Sequence, residues 1–419
     1  MWKRFGSSLA GRGRKTVVSV AESPWRSLAI PDRVIQSLIQ SGFDAPLESQ
    51  RLAIPALRRR ATNVLSSQTG TGKTLAYAIP ILEQLLENRS SLALIFTPSI
   101  DLCIQVDNLF RRLLSQLDGG LHSAHLRPSM MPASLLEAAV IVTTPNAAND
   151  ILTGDRYSPI MERLSTVVVD EADHLLIGGG GHSVALRQIL SRNRKSTQIA
   201  HTFVGATLPS NGSESPGQII RKLFPDVQTT SHVGNVISAN VTRTFVKLDF
   251  KNDQAVIQAL SSAVIKGERT LIFCNTSSSA DHVVSHWLMA PYRPALFTGR
   301  TSVDNRVAIL AALLQGTIKV LVCTDMAARG LDFPSIDHVI EFEFARDGVT
   351  HLHRVGRTGR CGQRGKVTSF YDDDRESLVG ALQGIADDQA IDSVFSRKRS
   401  FRKRIKKATA IAESAHTSF

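Results

Sequence analysis

The segment SSQTGTGKT at positions 66–74 combines the residue types that hold a nucleotide phosphate. Its two glycines would let backbone N–H groups close around phosphate oxygens, and Lys73 would bring a cation to the terminal phosphates. The hydroxyl of Thr74 is of the kind that binds Mg²⁺ in such loops. The usual loop pattern has glycine where this chain has Ser67, so a chance glycine-rich turn is the alternative.

A second set of chemical groups is the acidic tetrad Asp170-Glu171-Ala172-Asp173, which follows an apolar run at 166–169. Such a run indicates a buried parallel strand, and ligands of parallel sheets bind where the strands end. Asp170 is therefore predicted to hold Mg²⁺, and Glu171 to accept a proton from an attacking water. The alternative for an isolated tetrad is a solvated helix start.

The third set is HRVGRTGR at 353–360, where arginines recur every three residues. This spacing places the guanidinium groups of Arg354, Arg357 and Arg360 near one face of a turn-and-helix segment. Guanidinium groups can bind two phosphate oxygens at once, in a bidentate geometry. A cluster of surface ion pairs is the alternative.

Alternating strand and helix patterns must position these groups. Strands are predicted at 63–66, 92–96, 140–143, 166–169, 200–204, 270–273, 320–323 and 338–341. Helices are predicted at 31–41, 74–86, 100–117, 253–265 and 303–314. This order predicts an α/β fold with parallel sheets covered by helices on both faces.

The length and local composition predict two domains joined by a linker. At about 100–200 residues per domain, 419 residues fill two or three units. A Ser/Gly/Asn-rich stretch lies between 209 and 240, after which the strand–helix order starts again. We therefore expect a basic segment at 1–21, a first domain at 22–230, a linker at 231–240, a second domain at 241–385 and a basic tail at 386–419.

The charge is concentrated at the two ends of the chain. The 49 basic and 37 acidic residues give a net charge of +12. Residues 1–21 contain five basic residues and 397–407 contain eight, and neither segment contains an acid, so the remainder is close to neutral. The tail is therefore predicted to bind a polyanion, with a solvated terminus as the alternative. The four cysteines lack metal-binding spacing, and no apolar run is long enough to cross a membrane.

The first residues also resemble a targeting segment. They are rich in Arg, Lys and Ser and lack acids, and no long apolar run follows the charges. This composition fits an organellar transit peptide and excludes a secretory signal. A basic tail of a nuclear protein would have much the same composition.

Nine motifs then occur in the order of one family, over roughly residues 22–385. They are Trp25 with GFDAP at 42–46 and Gln50, SQTGTGKT, PSIDLCIQ at 98–105, TP at 144–145, DEAD, GAT at 205–207, LIFCNT at 271–276, TDMAARGLD at 324–332 and HRVGRTGR. The chain resembles the DEAD-box ATP-dependent RNA helicases of superfamily 2, and its GATLP and FCNTSS segments look most like a divergent mitochondrial branch. The resemblance implies two tandem RecA-like P-loop domains, ATP and Mg²⁺ as cofactors, and RNA as the partner.

The resemblance also implies roles for individual residues. Lys73, Glu171, Arg357 and Arg360 would be catalytic, the two arginines acting on the γ-phosphate as fingers. Gln50 would read the adenine edge and Trp25 would pack on or beside the base, although either could instead be an ordinary half-buried residue. The implied ATP contacts are Trp25, Gln50, Ser67, Gln68, Thr69, Gly70, Thr71, Gly72, Lys73, Thr74, Gly330 and Asp332, the last on the ribose. The implied metal ligands are Thr74 and Asp170. The implied RNA contacts are Pro98, Ser99, Thr144, Thr324, Arg397, Lys398, Arg399, Arg402, Lys403 and Arg404.

Departures from the family pattern fall mainly on the RNA side. Ile100 and Ala147 stand where the family has arginines, Val303 stands where it has glutamine, and Gly205 stands where it has serine. Each lost arginine removes a phosphate contact, which the basic tail could replace. We expect a monomeric helicase that unwinds RNA or remodels ribonucleoprotein in ribosome assembly, with a protein activator and no membrane. The alternative is an ATP-gated RNA clamp or scaffold. We expect a mitochondrial location, with the nucleus, nucleolus or cytoplasm as alternatives.

Overall fold

The polypeptide forms two compact units, one built mainly from residues before 234 and the other from residues after it. The computed structural model describes residues 19–59, 61–67, 71–117, 120–126, 135–148, 158–177, 181–193, 199–206, 208, 215–232, 240–327, 331, 333, 335–360 and 363–383.

The first unit contains a seven-stranded sheet with the order β3-β4-β2-β5-β6-β1-β7. All its strand pairs are parallel. The strands are β1 (Asn63–Ser66), β2 (Leu92–Phe96), β3 (Ser123–His125), β4 (Val140–Thr143), β5 (Leu164–Val169), β6 (Ala200–Gly205) and β7 (Gln228–His232). Its helices are α1 (Asp32–Gln40), α2 (Glu48–Leu57), α3 (Lys73–Glu87), α4 (Ile100–Leu114), α5 (Ser158–Arg163), α6 (Ala172–Leu175), α7 (Gly181–Asn193) and α8 (Pro216–Leu223).

The first sheet is covered on both faces, which explains why its central strands are apolar throughout. Consecutive residues of a strand point to opposite faces, so Ile95 packs in one apolar cluster and Phe96 in the other. Helices α3 and α4 contribute to the cluster that contains Ile95, and α7 and α8 to the cluster that contains Phe96.

The second unit contains a six-stranded sheet with the order β10-β11-β9-β12-β13-β8, again with every pair parallel. The strands are β8 (Val241–Lys247), β9 (Thr270–Phe273), β10 (Ala295–Phe297), β11 (Val320–Cys323), β12 (His338–Glu341) and β13 (Gly365–Tyr371). Its helices are α9 (Asp253–Ala263), α10 (Ser277–Ser285), α11 (Val303–Gln315), α12 (Gly348–Val355) and α13 (Glu376–Gln383). Among the residues described, no helix in either unit has the length and apolarity needed to cross a bilayer.

The eight predicted strands and the five predicted helices are confirmed, with small shifts at their ends. For example, β5 begins at Leu164 instead of 166, and α4 ends at Leu114 instead of 117. The sequence patterns do not predict β3, β7, β8, β10 and β13. Strand β7 (QTTSH) consists of polar residues, and the edge strand β8 (VTRTFVK) combines half-buried and exposed residues, so neither has the continuous apolar run of a central strand.

Two predicted boundaries were wrong. Ser231 and His232 were expected in the linker, but they pair with Leu65 and Ser66 and so complete β7. Residues up to 21 were expected to precede the first domain, but Val20 packs against its apolar core and its carbonyl accepts a hydrogen bond from Arg26 at 2.9 Å. Val20 therefore belongs to the first unit.

Candidate ATP site and RNA-contacting residues

The glycine-rich segment links the end of β1 to the start of α3. The N–H of Ser67 donates to the Gly205 carbonyl at 3.2 Å and extends the pairing of β1 with β6 by one residue. Lys73, the first residue of α3, donates from Nζ to the Ser67 carbonyl at 2.7 Å. The Ser67 and Thr71 hydroxyls are hydrogen-bonded to each other at 2.8 Å. The predicted contacts Gln68, Thr69 and Gly70 lie outside the described residues.

Two residues of α2 hold this segment in place through hydrogen bonds to its backbone. The Ser49 hydroxyl donates to the Thr71 carbonyl at 2.6 Å, and Nε2 of Gln50 donates to the Gly72 carbonyl at 3.0 Å. The same amide accepts from the N–H of Leu47 at 2.8 Å. Gly72 has φ of +75°, and a Cβ at this position would collide with the Gln50 amide, so glycine is required there on both counts. In this structure the Gln50 amide binds backbone groups at both ends, a role that the sequence analysis did not predict.

Trp25 does not occupy the position predicted for it. Its side chain is fully buried in the core of the first unit. Its indole N–H donates to the carbonyl of Phe43 at 2.9 Å. A ring that is covered in this way cannot pack on a nucleotide base, so the predicted base contact was wrong for this structure. Trp25 instead fixes the loop between α1 and α2, which leads to Gln50.

Asp170 and Glu171 follow β5 at the carboxyl edge of the sheet. The N–H of Asp170 donates to the carbonyl of Phe96, and the Asp170 carboxyl accepts from the Tyr77 hydroxyl, both at 2.9 Å. Burial and the negative charge of Glu171 raise the pKa of Asp170 to about 7, although the charge of Lys73 acts to lower it. This carboxyl is therefore ready to accept a cation that would stabilise its charged form.

Glu171 has an unusual backbone conformation, with φ of +52°. A non-glycine residue in this left-handed region costs about 1–3 kcal/mol and is found most often at functional sites. The next acid, Asp173, accepts from the N–H of Ala206 at 3.2 Å and so connects the tetrad to the loop after β6. A Cβ on Gly205 would lie 3.3 Å from the Asp173 carboxyl carbon, so the residue preceding Ala206 is also tightly enclosed.

These groups fit a magnesium–nucleotide complex. Lys73 and the N-terminus of α3 would face the phosphates, and Thr74 and Asp170 would hold the metal through oxygen atoms. The raised pKa of Asp170 supports this assignment, because a divalent cation would supply the positive charge that a buried, ionised carboxyl needs beside it. When bound, Mg²⁺ would neutralise charge that develops on the phosphates. The buried Glu171 is the group of this chain that could take a proton from water.

The predicted RNA contacts of the first unit also follow parallel strands. Pro98 and Ser99 come after β2, and Thr144 comes directly after β4, its neighbour in the sheet. Ser99 caps α4 by accepting from the N–H of Leu102 at 3.3 Å. Ala147 is buried, so the departure from the family at this position leaves neither a charge nor an exposed side chain.

In the second unit, Arg354 is fully buried and binds four acceptors. Its Nε donates to Asp325 at 2.6 Å and its Nη2 to the Asn275 side chain at 2.7 Å. Its Nη1 donates to the Glu343 carbonyl at 2.8 Å and lies 3.4 Å from the Glu341 carboxyl. The alternative of a surface cluster was therefore wrong for Arg354, which belongs to the interior of the unit.

The two arginines predicted to reach the nucleotide are held by backbone carbonyls. Arg357 is buried and donates to the Leu331 carbonyl at 2.6 Å, and half-buried Arg360 donates to the Gly356 carbonyl at 2.9 Å. Thr324, a predicted RNA contact, follows β11 directly. Gly330, Asp332 and the tail residues Arg397, Lys398, Arg399, Arg402, Lys403 and Arg404 lie outside the described residues.

Four further residues of these sites were not predicted from the sequence: Tyr77, Ser49, Asn275 and Asp325. Tyr77 stands four residues after Lys73 on α3, so helical spacing could have placed it on the same face as the lysine. Asn275 and Asp325 each come two residues after a predicted strand, where side chains at the carboxyl edge are expected.

A glycine-rich loop before α3 and an acidic tetrad after β5, both at the carboxyl edge of a parallel sheet, define a P-loop nucleotide hydrolase. Comparison with family models gives the family. Residues 47–215 match the DEAD/DEAH box helicase model, and residues 252–362 match the helicase conserved C-terminal domain model. The chain belongs to the DEAD-box RNA helicases, so it is an ATP-hydrolysing RNA helicase that uses ATP with Mg²⁺.

Individual relatives and structures agree with this assignment. The chain is 27% identical to DEAD-box ATP-dependent RNA helicase 22 of Arabidopsis thaliana, over 94% of this chain and 85% of the relative. It is 29% identical to ATP-dependent RNA helicase DeaD of Mycobacterium tuberculosis, over 87% of this chain and 64% of that protein. The structure of S. cerevisiae Dbp5 bound to RNA and ADP BeF3 has a TM-score of 0.74 at 22% identity, covering 86% of this chain and 93% of Dbp5. The structure of Mss116p bound to ssRNA and AMP-PNP has a TM-score of 0.71 at 20% identity, covering 89% of this chain and 78% of that one. The predicted fold of two tandem RecA-like domains is confirmed.

Proposed function

We propose that this helicase couples ATP binding and hydrolysis to local unwinding of RNA duplexes or remodelling of ribonucleoprotein. The observation that carries the proposal is the pair of buried acids at the end of β5, with Lys73 close enough to influence the pKa of Asp170. In this proposal Glu171 is the general base, Lys73 binds the phosphates, and Arg357 and Arg360 act on the γ-phosphate. RNA is contacted through Pro98, Ser99, Thr144, Thr324 and the basic tail.

A strand-release assay tests this proposal. The full chain is mixed with a short labelled RNA duplex, and release of one strand is followed with ATP, with a non-hydrolysable analogue and without nucleotide. We expect release that requires ATP, and no multiple-turnover release by Glu171→Gln. Wild-type protein that hydrolyses ATP in response to RNA but releases no strand would overturn the unwinding part.

An ATP-gated RNA clamp is the second candidate function. It is favoured by the loss of arginine at two positions, because Ala147 is buried and the aliphatic Ile100 at the start of α4 cannot bind phosphate. A clamp predicts long-lived RNA binding with a non-hydrolysable ATP analogue and little strand release. Measuring the RNA dissociation rate beside strand release in the same samples distinguishes the two functions.

In either function we propose that the tail supplies phosphate contacts. Deleting residues 397–407, which contain eight basic residues, should weaken binding to unstructured RNA and flatten the plot of log affinity against log salt. ATPase activity at saturating RNA should change little. Equal slopes for the full and truncated chains would favour the solvated-terminus alternative.

We further propose that the protein acts as a monomer with a protein activator in mitochondrial ribosome assembly. The composition of the first residues supports the location, since residues 1–21 contain five basic residues and no acid. A reporter fused to residues 1–18 should enter mitochondria, and a cytosolic or nuclear reporter would contradict the proposal. Crosslinking and sequencing of bound RNA should recover ribosomal RNA.

A further inference from the structure

The interior of the second unit contains a group of ionic side chains that lies partly outside the family motifs. We call Glu341, His351, Arg354 and Asp325 the Glu341 cluster. Glu341 ends β12 and His351 lies on α12, and both side chains are fully buried. Nδ1 of His351 is 2.8 Å from Oε2 of Glu341, and the Ser369 hydroxyl donates to the same oxygen at 2.6 Å.

The cluster reaches two loops at the carboxyl edge of the second sheet through Arg354. Oε1 of Glu341 faces one nitrogen of the guanidinium at 3.4 Å, and other nitrogens bind Asp325 and Asn275. Asn275 lies in the loop after β9, and Asp325 adjoins Thr324 in the loop after β11. A shift of Arg354 would therefore be transmitted to both loops.

The charges explain why Glu341 is needed at this place. Burial alone would raise the pKa of Glu341, but the neighbouring charges of His351 and Arg354 hold it below its ordinary value. Glu341 therefore stays ionised, and a buried guanidinium needs such a partner because an uncompensated charge in the interior is costly. His351 is further held by stacking on Phe344, with ring centroids 5.2 Å apart.

We propose that Glu341 and His351 are positioning residues for RNA-stimulated ATP hydrolysis. The two side chains orient Arg354, which in turn fixes the loops that begin after β9 and β11. The proposal rests on the assigned contact of Thr324 with RNA, but it does not depend on whether the protein unwinds RNA or clamps it. Neither residue contacts a nucleotide or RNA in this scheme.

Steady-state kinetics of Glu341→Gln in the full chain tests the proposal. Glutamine keeps the shape and an acceptor oxygen but removes the charge. We expect the RNA-stimulated kcat to fall about tenfold while the KM for ATP stays within about twofold. His351→Gln should change kcat in the same direction. Ser369→Ala is the matched control, because it removes a hydrogen bond to the same oxygen without changing any charge, and its kcat should stay within about twofold of wild type.

Three further measurements separate positioning from simple stabilisation. Each variant is compared by thermal unfolding, and the double variant Glu341→Gln/His351→Gln should lose less kcat than the product of the two single losses, since the residues act on one path. Glu341→Asp, which keeps the charge, should recover part of the kcat lost in Glu341→Gln. Variants that unfold at lower temperature but keep wild-type kcat and RNA dependence would overturn the proposal. Wild-type protein that shows RNA-stimulated ATPase activity but releases no strand would contradict the proposed unwinding and leave the positioning proposal intact.

Discussion

Asp170 and Glu341 are both buried carboxyls at the carboxyl ends of parallel strands, yet their pKa values move in opposite directions. The pKa of Asp170 rises to about 7, because burial and the charge of Glu171 disfavour ionisation. The pKa of Glu341 falls, because the charges of His351 and Arg354 outweigh the effect of burial. At the carboxyl edge of the first sheet, the first edge, a bound cation would therefore favour the ionised form of Asp170. At the carboxyl edge of the second sheet, the second edge, the protein's own side chains already keep Glu341 ionised.

We interpret this difference as that between a reaction site, at Asp170, and a group that positions other residues, at Glu341. In the proposed function, residues around Asp170 lower the stability of the fold but form a site for Mg²⁺ and phosphate, whereas residues around Glu341 hold loops in place. Substitutions at the two edges should therefore have different consequences, and the following experiments test the contrast.

The largest effect is expected from breaking the first edge at Glu171. Glu171→Gln should lower the ATPase kcat by about 10²–10⁴-fold, because the proton acceptor is lost, while ATP still binds. Lys73→Ala should instead weaken ATP binding, because the cation facing the phosphates is lost. Nucleotide affinity and single-turnover hydrolysis, measured for both variants, check this. Turnover by Glu171→Gln at the wild-type rate would remove Glu171 from the role of general base.

Breaking the second edge at Arg354 should damage stability first. Arg354→Met should lower the free energy of unfolding of the second unit by about 3–5 kcal/mol, because it removes the guanidinium that compensates the buried Glu341 and the half-buried Asp325. Denaturant unfolding measures this change. Arg300→Met is a matched control, since Arg300 makes an exposed ion pair with Asp281 and should contribute less than about 1 kcal/mol. Equal losses for the two variants would contradict the interpretation of the second edge.

Gln50→Ala probes the support of the first edge and should have a smaller effect. We expect the preference for ATP over GTP, taken from kcat/KM, to relax by about 1–3 kcal/mol if the amide reads the base. The amide also binds the Gly72 carbonyl, so a loss shared equally by ATP and GTP would show that its role is to hold the loop. Ser49→Ala removes the hydrogen bond to the Thr71 carbonyl, which holds the same loop. Its kinetics show how much of an activity loss common to ATP and GTP comes from weaker support of the loop.

The smallest effect, and the sharpest test of the contrast, is the pH dependence of stability without metal or nucleotide. A raised pKa means that folded protein holds a proton that unfolded protein releases, so Asp170 lowers stability as pH rises from about 4 to about 7. Asp170→Asn should therefore melt at a higher temperature than wild type above pH 7 in EDTA, and at a similar temperature near pH 4. Glu341→Gln should instead melt at a lower temperature than wild type near neutral pH, because a carboxyl with a lowered pKa stabilises the folded state at pH values above its ordinary pKa. This stabilisation is lost as pH falls, so the difference between Glu341→Gln and wild type should shrink at acidic pH. If both variants changed the melting temperature with the same pH dependence, the opposite pKa shifts of Asp170 and Glu341 would be contradicted.

The sequence predicts the central strands well, and it places the residues that directly follow them, because both depend on local patterns. An apolar run such as LALIF indicates a buried strand by itself, and Lys73 and Asp170 are placed by the elements next to them. The positions of Trp25 and the Gln50 amide depend on contacts with distant residues, Phe43 and Gly72, which no local pattern encodes. The pairing of Glu341 and His351 with Arg354 was not predicted for the same reason, since Glu341 ends β12 whereas His351 and Arg354 lie on α12.

The left-handed backbone at Glu171 has a consequence for how this gene would drift. Ala29, Glu171 and Arg293 are the described non-glycine residues with positive φ, and at Glu171 a glycine or asparagine would relieve the backbone strain. With Glu171 as the proposed general base, selection for hydrolysis would keep glutamate at this position against its conformational preference. In a lineage where the protein kept its fold but no longer turned over ATP, position 171 should be among the first to change, and the change should be towards glycine or asparagine.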